Sequence, residues 1–216
     1  MTYPIFNSVI NRIENELKER NIPIKAFKTW NEDRINATGL EIVIDLSNKA
    51  NFLKALSFNF DWDRFRETVL ARQLEGMEEH PFLQEENMVS TSISPIIDIE
   101  VSWLFDENKS QPQVQPGHHG DKISNASNWM EDISKQVNDL LKDDDIITRW
   151  HVEVEGNESD KYLSAINLIS YFQYTLENLT SLNEVHEFVG KNLQDLLQKS
   201  NKVLKISDRT LEQQAA

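Results

Sequence analysis

The stretch Ile97-Asp98-Ile99-Glu100-Val101-Ser102-Trp103-Leu104-Phe105-Asp106 places an apolar side chain at every odd position and, Leu104 apart, a polar one at every even position. Successive residues of a strand point to opposite faces, so a period of two specifies a strand with one buried and one wet side. Three other segments repeat the pattern: Leu40-Glu41-Ile42-Val43-Ile44-Asp45-Leu46, Leu56-Ser57-Phe58-Asn59-Phe60-Asp61-Trp62-Asp63 and Trp150-His151-Val152-Glu153-Val154-Glu155. In all four the polar side is acidic. If the strands share a sheet, its open face collects Glu41, Asp45, Asp61, Asp63, Asp98, Glu100, Asp106, Glu153 and Glu155.

Around these strands the apolar spacing lengthens to that of helices. Phe6, Val9, Ile10, Ile13 and Leu17 predict a helix over about 5–20, with Pro4 suited to its first turn and Pro23 just past its end. Ile24 to Trp30 reads as a further strand. Asp63 is placed to cap a helix running to about Glu78, and Pro81 stops it. A helix is expected over about 121–142. The run from Asp160 to about Asn178 has apolar residues around most of a helical circumference, which predicts a central helix. Ser181-x-x-Glu184 matches a capping box for a last helix ending near 204. Met88 to Ser94 follows no clear period, and Asp143-Asp144-Asp145 reads as a turn.

These elements predict an α+β fold: an antiparallel meander of four to five strands, amphipathic helices packed on one face, and an acidic opposite face. One domain over 1–206 is expected, with a flexible loop at 108–120, where Pro and Gly recur, and a polar, frayed tail at 207–216. The alternative divides the chain into 1–107 and 121–206.

The composition narrows the function. With 22 Lys and Arg against 36 Asp and Glu, the net charge is −14. Nucleic acid is an unsuitable partner, because displacing its counterions needs clustered basic groups, and an anionic membrane surface is unsuitable for the same reason. A basic protein surface is the partner such a field attracts. The lack of cysteine excludes disulfides, thiolate zinc sites and thiol nucleophiles. The opening residues lack a secretory pattern, and no apolar run approaches the ~20 residues that cross a bilayer, so a cytoplasmic location is expected.

Two uses of the acidic strands follow. In the primary reading the chain is a non-enzymatic binding module without a cofactor: an adaptor, an inhibitor, or a toxin-neutralising or assembly subunit. Glu41, Asp45, Asp61, Asp98, Glu100, Glu153 and Glu155 then meet the basic partner, with Trp30, at a strand end beside a turn, as an aromatic anchor. The alternative is a metal-dependent hydrolase. Neighbouring strands lie about 4.8 Å apart, so Asp61, Asp63, Asp98 and Glu100 could hold Mg or Mn, with His151 as a base. No nucleophile elbow, phosphate loop or His-Glu-x-x-His motif occurs. His118-His119 lies in the Pro/Gly loop; His80 and His186 read as structural; Arg64, Arg66 and Arg72 alternate with acids and read as surface pairs.

Overall fold

The alternating segments are strands. A computed structural model describes residues 3–32, 37–84, 95–110, 119–142, 146–157 and 160–215. Along the described chain run α1 (Pro4–Glu19), β1 (Ile24–Glu32), β2 (Ala37–Asp45), β3 (Leu53–Asp63), α2 (Arg64–Gln73), a 3-10 turn at Pro81–Gln84, β4 (Ile96–Phe105), α3 (Glu107–Ser110), α4 (His119–Leu141), β5 (Ile147–Asn157), β6 (Asp160–Thr175) and α5 (Leu182–Ala215). The strands form one antiparallel sheet in the order β1-β2-β3-β4-β6-β5, so the fold is α+β. No described helix is long and apolar enough to cross a membrane. Residues 111–118, which make up most of the expected loop, lie outside the described residues, as do Met88–Ser94 and Asp143–Asp145.

Six strands replace the expected four to five, because Asp160–Thr175 is a 16-residue strand and not a helix. Ile166, Leu168, Ser170 and Phe172 are buried at a period of two. Against β5, Glu153 pairs with Ala165 but Val154 pairs with Leu163, so Ser164 is an extra residue in the ladder. This β-bulge shifts the buried side by one position, and the step from Leu163 to Ile166 becomes the i, i+3 spacing of a helix. Aromatic and β-branched residues between Tyr162 and Thr175 are what a pleated surface accommodates best.

Helix α2 is shorter than expected. It ends at Gln73, where the Gln73 amide donates to the carbonyls of Leu176 and Leu179 at 2.9 and 2.6 Å and Glu75 N–H donates to Thr180 O at 2.8 Å. Leu74 leaves the helical path in an extended conformation, and Gly76 follows at φ +78°, a left-handed conformation that suits glycine. Helix α5 is longer than expected and continues through Ala215.

The chain divides into two compact units: Met1–Ile42, Asn59–Ile99 and Gln173–Leu197 form the first, and Val43–Phe58, Glu100–Phe172 and Gln198–Ala216 the second. Each unit draws on chain from both sides of the 108–120 stretch.

The first unit is organised by a buried acid. Helix α1 begins with Tyr3 at its cap position and Pro4 behind it, and no side chain of its own caps its first amides. Glu67 of α2 does so from 62 residues away: Oε1 accepts from Ile5 N–H at 2.7 Å and Oε2 from Phe6 N–H at 3.1 Å. Trp62 Nε1–H donates to Oε2 at 2.8 Å and His80 Nε2 lies 3.1 Å from Oε1. Phe82 N–H donates to His80 Nδ1 at 3.3 Å, which places the imidazole proton on Nε2, facing Glu67. Each carboxylate oxygen therefore takes two donors, and the positive end of the α1 dipole supports the charge. Phe6 stacks on Trp62 at 5.2 Å between ring centroids.

The second unit has an aromatic centre. Phe105, Trp129 and Trp150 pack with centroid separations of 5.4 to 5.5 Å, and Trp150 Nε1–H donates to Ser134 Oγ at 2.6 Å. The end of α5 is held here too. Asp208 accepts from Asn51 N–H and Phe52 N–H, both at 3.2 Å, and Glu212 accepts from Asn51 Nδ2 at 2.7 Å. Ser207, Thr210 and Leu211 are buried. Asp208 and Glu212 thus tie this end of the helix to the β2–β3 turn, and Thr210 and Arg209 bond Gln136 of α4.

Two predictions follow. Glu67→Ala should cost roughly 3–5 kcal/mol, because it strands buried donors without an acceptor, and Glu67→Gln, keeping one acceptor oxygen, should cost less. Urea unfolding midpoints check the order, and an unchanged midpoint for the alanine variant would reject it. Removal of residues 207–216 should lower the thermal midpoint by roughly 5 °C through lost caps and core. A truncated chain melting like the full one would restore the frayed tail.

Candidate functional site

The expected carboxylates fall into both units. In the first, Leu40 and Ile42 are buried, so Gly39 and Glu41 point to the other side of β2. The Trp30 indole of β1 occupies the space a side chain at Gly39 would need, and Thr38 Oγ1 donates to Trp30 O at 2.8 Å. Trp30 is thus half-buried on the same side as Glu41. Asp61 is exposed between buried Phe60 and Trp62, and Asp98 is half-buried between buried Ile97 and Ile99. Trp30, Glu41, Asp61 and Asp98 accordingly share the open side of four neighbouring strands, β1 to β4.

Two acids on this side are engaged locally. Asp63 caps α2, accepting from Arg66 N–H at 2.7 Å. The Arg66 guanidinium then donates to Asp63 Oδ2 at 2.8 Å, to Ile96 O at 2.7 Å and to Asp98. Gln173 Nε2 donates to the other Asp98 oxygen at 2.9 Å. Arg66 is therefore a clamp between α2 and β4, and not the surface pair its alternation with acids suggests. Arg64 lies 4.9 Å over the Phe82 ring, and Arg72 is exposed.

The second unit holds Asp45, Glu100, Glu153 and Glu155. Asp45 accepts from Ser47 N–H at 2.9 Å and so caps the β2–β3 turn. Tyr171 has the Glu100 charge nearby, and its hydroxyl accepts from Arg149; that guanidinium lies 5.0 Å from the Tyr171 ring centroid. Burial, with Glu100 adding to it, raises the Tyr171 pKa above its ordinary 10.0. Glu153 lies 3.2 Å from His151, and Glu155 accepts from Tyr162 OH at 3.0 Å; Glu153, Glu155 and His151 are exposed.

The metal quartet does not assemble as a donor set. Among the described residues no three His, Asp or Glu side chains group closely enough to hold a metal ion. Asp63 and Asp98 already share the positive charge of Arg66, and His151 contacts Glu153, which is outside the quartet. His118 lies outside the described residues, and His119 begins α4.

Two groupings have no signature in the sequence. One is the Glu67 centre. The other joins α1 to α5: Ser8 Oγ lies 2.7 Å from His186 Nε2, across 178 residues of chain. Burial, then the nearby Arg12 charge, lowers the His186 pKa, which favours the neutral ring at this contact. Gly190, one turn along α5, leaves room for Arg12 and Glu16. The same unit contains an apolar cavity lined by Val9, Ile13, Phe60, Ile99, Phe188 and Leu193, among others; Asn192, a polar member, donates to Phe188 O at 2.8 Å.

A pH prediction comes from Tyr171. Its folded pKa is raised, so the protonated form stabilises the fold fully below pH 10.0, and this contribution is lost as pH rises beyond it. Stability should fall on alkaline titration, and Tyr171→Phe should remove that part of the fall; denaturant midpoints across this range are the measurement, and identical slopes for both chains would refute it. No family model, curated protein or solved structure matches this chain.

Proposed function

We propose that this chain is a cytoplasmic, non-enzymatic binding module that docks the basic surface of another protein, acting as an adaptor, an inhibitor, or a toxin-neutralising or assembly subunit. One observation carries the reading: in the first unit Trp30 lies on the same open sheet side as Glu41, Asp61 and Asp98. Carboxylates steer a basic partner and set its orientation, while a half-buried indole supplies apolar contact area at little cost in side-chain freedom. A net charge of −14 extends the attraction beyond the contact itself. Arg66, bound to Asp63 and Asp98, ties α2 to β4 on the same side.

The partner-independent test uses a lysine-rich peptide as the basic probe. Raising salt from about 0.01 to about 0.15 M shortens the screening length from roughly 30 to 8 Å, and binding should weaken steeply. Glu41→Lys combined with Asp61→Lys should lower affinity by at least about tenfold, and Trp30→Ala should weaken binding at every salt concentration. Asp98→Lys is a poor probe because it also breaks the Arg66 clamp. Calorimetric affinities that ignore both salt and the double reversal would reject the reading.

A further inference from the structure

The two outer strands of the sheet differ in charge. Strand β1 exposes Lys25 and Lys28, with Glu32 at its end, whereas β5 exposes Arg149 near its start and Glu153 and Glu155 near its end. An outer strand presents a row of backbone N–H and C=O groups that another strand can pair with. From His151 to Gly156 every residue of β5 is exposed or half-exposed. The extra residue of the ladder, Ser164, belongs to β6, so the outer row of β5 is not interrupted by an insertion. Val154 and Tyr162 are the exposed large apolar side chains among the described residues, 48% and 45% accessible, and both lie at this end of the β5–β6 pair.

We propose that the β5 edge takes an extended, lysine- or arginine-bearing segment of the partner as a seventh strand. This rests on the binding function above and adds to it a contact in the second unit, with a stated conformation. Glu153 and Glu155 lie on one side of β5 and Val154 on the other. The segment that fits is therefore basic-apolar-basic, with cations opposite the two glutamates and an apolar side chain opposite Val154. Directly opposed residues of an antiparallel pair have their Cβ atoms about 5 Å apart, close enough for each cation to reach its glutamate. A second copy of β5 paired antiparallel about Val154 would set Glu153 against Glu155, which disfavours self-pairing in that register.

The probe is a synthetic peptide of alternating lysine and valine, compared with two forms N-methylated on either alternate set of backbone nitrogens. Methylation keeps charge and side chains but removes the N–H groups that pair strands. The parent peptide should bind at low salt, and at least one methylated form should bind about tenfold or more weakly, the loss expected for two or three backbone hydrogen bonds. Glu153→Lys with Glu155→Lys, both exposed positions, should abolish the difference, while Glu41→Lys with Asp61→Lys should leave it unchanged; circular dichroism checks that each variant is folded. Equal, salt-sensitive binding of all three peptides would overturn strand addition and leave the open-face reading standing. No binding by any of them would overturn both. A methylation effect indifferent to Glu153 and Glu155 would move the strand elsewhere and reject the β5 edge. Concentration-dependent self-association in sedimentation, abolished by Lys25→Glu with Lys28→Glu, would assign the edge to β1 of a second copy and likewise reject it.

Discussion

A carboxylate removed from water is tolerated only when donors saturate it, and Glu67 meets that condition by drawing on three other stretches of the first unit. The amides of Ile5 and Phe6, the Trp62 indole and the His80 imidazole all converge on its two oxygens. Helix α1, which has no cap of its own, is thereby anchored to α2, to the end of β3 and to the turn before Pro81. The next residues inherit that order. Trp62 stacks on Phe6, Asp63 begins α2, and Arg66, one turn along the helix, reaches Asp98 on β4. The position of a surface acid on the open sheet side thus traces back, through four residues, to a buried one.

The acidic composition serves more than one purpose. Glu67, Asp63, Asp106, Glu184 and Asp208 each accept backbone amides at helix ends or turns. Glu184 is the clearest surface case: backbone amides, that of Thr180 foremost, lower its pKa while it stands fully exposed. Asp61, Glu153 and Glu155 differ in being exposed along strands, where a carboxylate faces outward. This division within one residue class separates acids that hold helix ends and turns from acids set along the strands.

Local patterns in the sequence predict what local physics decides. Four strands and the capping box of α5 follow from alternation and from residues three apart, because a pleat or a helix turn is built from near neighbours. The sixth strand is obscured by one residue: Ser164 breaks the alternation, and the shifted pattern imitates a helix. Long-range partners leave no trace. Nothing near Glu67 indicates that it caps a helix 62 residues earlier, and nothing near Asp208 indicates the amides of Asn51 and Phe52. Trp30 is an intermediate case. A tryptophan at a strand end is a reasonable anchor, but its neighbour, the bare backbone of Gly39, becomes apparent only when β1 and β2 are paired.

The division of α5 between the units constrains how the chain can be made. Each unit is assembled from three separate segments, and in both the last segment comes from α5, with Val185, Val189 and Leu193 entering the first core and Val203 and Leu211 the second. Chains that carry their domains in series can fold the leading one while the rest is still being synthesised. That route is closed here. A ribosome-bound chain that already contains Trp62, Trp103 and Trp129 still lacks the helix that completes either core, so these side chains must wait, exposed or chaperoned, until α5 has emerged.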